Sequence, residues 1–190
     1  DIFFILKKSF NLLFETYFDK HDPTYTSKIK RIISFLRKKI ISIFYSFLKK
    51  KNIKNISENY FIYFLQKQPE ATTDVKGMYY SNQIENIKII WKILPVDFMF
   101  IIKEHPNCIG DRSLAFYKEI LKLKNVYLSD GKNFGKIIKN SKATFSIAST
   151  ASLKSSLMNI PSFTLTETFF NCLDFSLRIS IEDIRNFKNF

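Results

Sequence analysis

From residue 58 onward, short apolar runs alternate with longer stretches of helical spacing. Tyr60–Leu65, Phe98–Lys103, Val126–Leu128, Ala143–Ile147 and Pro161–Leu165 are the runs. Continuous apolar runs of this length, bounded by polar and turn residues, predict strands buried on both faces. Between them, residues 82–94, 111–123, 132–140 and 150–158 read as helices, with Asp111 as the expected N-cap of the second. Strands alternating with helices predict an α/β fold: a parallel sheet with helices on both faces, the fifth run being its final strand.

Upstream the pattern differs. Residues 2–18 are aromatic-rich and read as a helix, and His21-Asp22-Pro23-Thr24 breaks it. His21 reads as a plain surface residue. Over residues 26–50, Ile29, Ile32, Ile33, Leu36, Ile40, Ile43, Phe44 and Phe47 recur at steps of three and four. From Pro23 to Ser57 there are ten Lys or Arg and no acidic residue, so this is a basic amphipathic helix. It reads in two ways: packed on a missing or neighbouring domain, or docked on an anionic membrane surface through residues 23–57. Residues 1–57 are thus a basic helical segment and residues 58–190 a separate α/β domain. The opening Asp1-Ile2-Phe3-Phe4 has no initiator Met and no signal-peptide n-region, and reads as the interior of a longer protein.

Composition sharpens this only in places. The 46% apolar content and the 21 Phe and 9 Tyr supply a core. With only four Gly, other residues such as Asn must take the turns. The net charge of +13 favours anionic partners. Nucleic acid ranks below phosphates, acidic lipids and glycans, because the basic segment sits beside a ligand-binding sheet edge. Cys108 and Cys172 fit no metal-ligand spacing and read as reduced thiols of a cytoplasmic protein. No apolar run is long enough to predict a membrane-spanning helix. There is no Gly-x-Gly-x-x-Gly and no Walker loop, which argues against a dinucleotide dehydrogenase or P-loop ATPase.

Open parallel sheets bind ligands beyond the carboxyl ends of their strands, so the residues after each run carry the candidate chemistry. Gln68-Pro69-Glu70 follows the first and offers an amide and a carboxylate to sugar hydroxyls or a base edge. Lys103-Glu104-His105-Pro106 follows the second. His105 can donate to a phosphate oxygen or protonate a leaving phosphate, and Lys103 can offset its charge. Ser149-Thr150-Ala151-Ser152 opens a helix after the fourth, where free N–H groups and the helix dipole attract an anion. Glu167 is a further carboxylate on that rim. His105 and Glu70 are the catalytic candidates. Lys103, Glu104, Pro106, Ser149, Thr150, Ser152 and Gln68 are the ligand-binding ones.

These segments, taken in order with Arg112, Phe116-Tyr117, Asn125-Val126, Ser141-Lys142-Ala143 and Pro161, resemble the C-terminal half of capsule and surface polysaccharide biosynthesis proteins. Those are glycosyltransferases of the GT-B type, with two Rossmann-like domains and a cleft between them. The His-Pro pair is similar to that of bacterial sialyltransferases and capsule Kdo transferases. There the His contacts the donor phosphate and assists departure of the nucleotide, and the Ser/Thr helix start binds the same phosphate. The resemblance therefore implies those roles for His105 and for Ser149, Thr150 and Ser152. It implies a CMP- or UDP-linked sugar donor, a glycan or glycolipid acceptor and no cofactor; no metal is expected, because the Asp-x-Asp cluster of metal-dependent transferases is absent. The expected location is cytoplasmic, peripheral at the inner face of the membrane. The sequence also departs from the pattern: Ala148 or Ser149 and Ser152 stand where the family has glycines, and Lys154 stands where it has a Glu that holds the donor ribose. A charged Lys cannot accept a hydrogen bond from a ribose hydroxyl. The absence of a full acceptor domain points the same way, toward a donor-binding half or a non-catalytic module of the same fold.

Overall fold

A computed structural model describes residues 28–48, 59–129 and 134–186. The expected helix over residues 2–18, and the break at His21, lie outside the described residues. Helix α1 (Lys28–Leu48) precedes a six-stranded sheet. The order along the chain is then β1 (Tyr60–Phe64), α2 (Gln83–Ile93), β2 (Met99–Lys103), α3 (Leu114–Leu121), β3 (Val126–Ser129), α4 (Phe134–Lys139), β4 (Ala143–Ser146), α5 (Thr150–Leu157), β5 (Ser162–Thr164), β6 (Ser176–Arg178) and α6 (Ile181–Asn186). Every strand pair is parallel. The spatial order is β3-β2-β1-β4-β5-β6. This is the doubly wound Rossmann-like arrangement, whose strand order reverses between β1 and β4.

The alternation along β1 explains why the runs read as continuously apolar. Tyr60, Ile62 and Phe64 face one layer, with Ile101, Ile138 and the flanks of α4 and α5. Tyr63 and Leu65 face the other, with Ile87, Ile90, Tyr117, Ile120 and Phe100. Both faces of the sheet are covered, so every position of a central strand must be apolar. Helix α1 joins the second layer through Ile41 and Tyr45. The Tyr45 hydroxyl donates to the Ser129 carbonyl at 2.9 Å, which ties α1 to the carboxyl end of β3.

Three expectations are corrected. The helix expected over residues 111–123 starts later, because the Ser113 hydroxyl accepts from the Phe116 N–H at 3.2 Å and caps it. Asp111 instead pairs with Lys38 of α1 at 2.7 Å. The fifth strand is not the last: β6 and α6 follow it. β6 is a three-residue edge strand with two exposed side chains, so it leaves no apolar run to read. α6 did carry a signal, since Ser180 and Asp183 cap each other's N–H groups at 2.7 and 3.0 Å. The scarcity of glycine is met as expected in part, with Asn125 and Asn159 in the left-handed region at φ 59° and 58°.

Gly110 is the exception that needs glycine. Its φ is +95°, and a Cβ there would lie 2.3 Å from the Lys38 carbonyl oxygen. The loop after β2 and helix α1 therefore meet backbone to backbone. Gly110→Ala is expected to cost about 2 kcal/mol or more, through both strain and the clash. Chemical denaturation of the two proteins measures it, and a change below about 0.5 kcal/mol would contradict this packing.

Candidate functional site

The carboxyl ends of β1, β2 and β4 meet around the reversal point, and their loops are held by a buried polar knot. Gln66, just beyond β1, is its hub. Its side-chain oxygen accepts from the Ala148 N–H at 2.7 Å, bridging to the end of β4. Its backbone N–H donates to Gln83 Oε1 at 2.9 Å, and its carbonyl accepts from Gln83 Nε2 at 3.0 Å and from the Arg112 guanidinium. Arg112 also donates through Nε to Glu104 Oε2 at 3.0 Å. The same oxygen accepts from the Tyr117 hydroxyl at 2.7 Å, while Oε1 accepts from the His105 N–H at 2.8 Å. Glu104 is 0% exposed and Arg112 is 11% exposed, so this is a buried, hydrogen-bonded ion pair. Burial, reinforced by the Glu104 charge, pushes the Tyr117 hydroxyl far above its usual range, so it stays a donor.

The knot corrects the placement of two candidates. Glu104 was expected on the rim, but its carboxylate faces inward and is spent on Arg112, Tyr117 and the His105 backbone. Ser152 was expected at the ligand, but it is buried and its hydroxyl bonds Ser146 Oγ at 2.7 Å. Ser146 Oγ in turn accepts from the Ser149 N–H at 3.1 Å. Both residues shape the rim from beneath.

His105 stands on this foundation, half-buried, immediately before a 3-10 turn at Pro106–Cys108. Its Nδ1 accepts from the Asn107 N–H at 3.3 Å. The Cys108 sulfur lies 3.9 Å from the same nitrogen. An acceptor role for Nδ1 puts the proton of the neutral ring on Nε2. Among the described residues Nε2 has no protein partner, so a donor is presented at the end of β2. Pro106 is exposed at the first position of the turn, where its missing N–H costs nothing.

On the opposite layer, Lys103 leans over the Phe134 ring with its ammonium 4.3 Å from the centroid. Lys154 lies over the same ring at 5.3 Å. Burial holds the Lys103 ammonium below the usual lysine range, and the Glu104 charge partly restores it. Beyond β4, Ser149 caps α5 by accepting from the Ala151 N–H at 3.1 Å, and Thr150 is exposed.

The first loop lies to the other side. Gln68 bonds Gln83 at 2.7 Å and the Ser81 carbonyl at 2.9 Å. It lines a cleft of about 360 Å³ with Asp111, Arg112, Ser113 and Phe116. Glu70 is exposed, and its backbone anchors Asp74 through an N–H donated at 2.6 Å. No contact joins Glu70 to His105. A second cleft, about 540 Å³, lies beyond β5 and includes Glu167, Lys76 and Arg178. His105 and Ser149 line neither cleft. Among the described residues no group of three or more His, Cys, Asp or Glu is placed to hold a metal.

Sequence reasoning missed Gln66 and Gln83 and assigned no role to Arg112 or Tyr117. A buried amide directly after an apolar run was the available signal for Gln66. Nothing local marks Gln83 as its partner seventeen residues on.

Breaking the knot on one side is expected to be costly. Arg112→Met leaves the Glu104 carboxylate buried without its cation, a loss of about 3–5 kcal/mol. Replacing both residues together, Glu104→Gln with Arg112→Met, is expected to recover part of that loss. A double-mutant cycle by urea denaturation measures it, and equal costs for the single and double variants would contradict the coupling.

No protein-family model matches the chain, and no curated protein does. Solved structures do match. The UDP-GlcNAc 2-epimerase of Methanocaldococcus jannaschii superposes with a TM-score of 0.54 at 15% identity, over 86% of this chain and 45% of that one. The same enzyme in complex with UDP-GlcNAc and UDP gives 0.52 at 15%, over 82% and 44%. The KpsC β-Kdo 2,7 transferase of Thermosulfurimonas dismutans gives 0.51 at 11% identity, over 97% of this chain and 57% of that one. The chain thus spans about half the length of the solved structures it matches. At these identities the likeness is one of fold: a six-stranded parallel sheet flanked by helices, as in one half of a GT-B enzyme.

Proposed function

We propose that this chain is the donor-binding half of a glycosyltransferase of capsule or surface polysaccharide biosynthesis. It takes a CMP- or UDP-linked sugar as donor and passes the sugar to a glycan or glycolipid acceptor. The observation that carries this reading is the orientation of His105. Its Nδ1 accepts from the Asn107 N–H, which leaves Nε2 as the ring's donor at the carboxyl end of β2, on the sheet edge where α5 begins two strands away at Ser149. A nucleotide phosphate on that edge would accept from Nε2 and from the Thr150 N–H and hydroxyl at the start of α5. Lys103 would neutralise the phosphate, and a protonated His105 would assist departure of the nucleotide. Two neighbours of this fold support the reading, one solved with UDP-GlcNAc and UDP and the other a Kdo transferase.

A second reading rests on Lys154. It is exposed, it shares Phe134 with Lys103, and it replaces the expected ribose-binding Glu. This favours a module that binds the phosphates but does not turn over the sugar.

Calorimetric titration with CMP- and UDP-sugars tests the proposal. Binding of one class is expected, weakened about 10- to 100-fold by His105→Ala at unchanged thermal stability. Absence of binding by any CMP or UDP species, or equal binding by the variant, would sink it. Binding without release of free nucleotide in the presence of acceptor glycans would select the second reading.

A further inference from the structure

Helix α1 carries two faces with different fates. Ile41 and Tyr45 are buried against the domain. Ile29, Ile33, Leu36, Ile40, Phe44 and Phe47 are 42–70% exposed. Their spacing of three and four puts them on one stripe, opposite the packed face. At 1.5 Å per residue the stripe runs roughly 27 Å. Helical spacing sets Arg37 along one flank of it and Lys39 along the other. No acidic residue occurs anywhere from Pro23 to Ser57.

We infer that this stripe is a docking surface for an anionic phospholipid bilayer. The charge pattern selects that occupant. A protein helix seated on the stripe would account for the apolar side chains, but not for cations on both flanks with no acid among them. A bilayer surface takes both, with the apolar stripe below the headgroups and the cations at the phosphates. Among the described residues no helix is long and apolar enough to cross a membrane, so α1 would lie in the surface plane.

The opposite face of α1 is fixed to the candidate site. Lys38 pairs with Asp111 at 2.7 Å, and Gly110 abuts the Lys38 carbonyl. Both belong to the loop that follows His105. Docking α1 would therefore hold the His105 loop close to the lipid surface. This inference does not depend on the nucleotide reading, because it rests on the stripe and its flanking cations and not on His105 Nε2.

Flotation of the full chain with vesicles tests it. Vesicles of phosphatidylglycerol and phosphatidylcholine are compared with phosphatidylcholine alone, at low and high salt. Partitioning onto the anionic vesicles is expected, weakened by salt and by about tenfold or more in Phe44→Ser/Phe47→Ser. Both positions are exposed, so thermal stability should not change. Arg37→Gln/Lys39→Gln should reduce binding to the anionic vesicles severalfold, and decides the matter if the first variant fails to fold. Lack of partitioning onto anionic vesicles at low salt, or binding indifferent to both variants, would overturn the inference. So would a lipid-free dimer, seen by sedimentation, that Phe44→Ser/Phe47→Ser dissociates, since the stripe would then belong to a second copy. Nucleotide affinity should be the same in all these variants, which keeps this test separate from that of His105.

Discussion

The candidate site depends on one buried carboxylate. Glu104 occupies the first position after β2, where the chain leaves the sheet and a polar backbone must be satisfied. Its two oxygens collect a backbone N–H, a guanidinium and a phenol. A charge taken this far out of water is tolerable only when both oxygens are hydrogen-bonded. Once they are, the loop has little freedom. His105 is held by its own backbone N–H, and Arg112 is drawn across to the Gln66 carbonyl. Gln66 then reaches the end of β4. The strand ends that surround the reversal point are thereby joined by hydrogen bonds.

This arrangement separates two kinds of polar residue that look alike in a sequence. Glu104 and Ser152 belong to the foundation, and His105, Ser149 and Thr150 to the surface built on it. The foundation orients the surface. The rotation of the His105 ring is set by the Asn107 N–H two residues on, in a turn whose first residue is Pro106. On the other layer, the Phe134 ring lies under two lysine ammonium groups, so positive charge gathers there. Helix α1 is attached to the same loop through Lys38 and Gly110, so the apolar stripe and the His105 edge share one rigid support.

Much of the fold was legible because the sheet is buried on both faces. Continuous runs such as Phe98–Lys103 admit few other readings, and helical spacing filled the gaps between them. The edge strand β6 was illegible for the converse reason: only Ser176 is buried there, and three residues make no pattern. The site was legible to the level of strand ends and no further. Topology puts residues 68, 105 and 149 on one edge, but whether a side chain faces in or out is decided by partners far along the chain. Glu104 turns inward because Arg112 and Tyr117 wait for it. Gln68 turns toward Ser81 and Gln83. Asp111 lost its expected capping role to Ser113 because Lys38 competes for its carboxylate. Each of these is a tertiary decision that no local window contains.

The central claim is that the edge formed by His105 and the start of α5 receives a nucleotide phosphate. NMR titration of the isotope-labelled chain with UDP and, separately, CMP tests it most directly. The account predicts that the largest shifts fall on the His105 imidazole and on the Ser149, Thr150 and Ala151 amides, with Lys103 following. Shifts confined to the cleft lined by Gln68, Ser113 and Phe116, or to the one beyond β5, would contradict it.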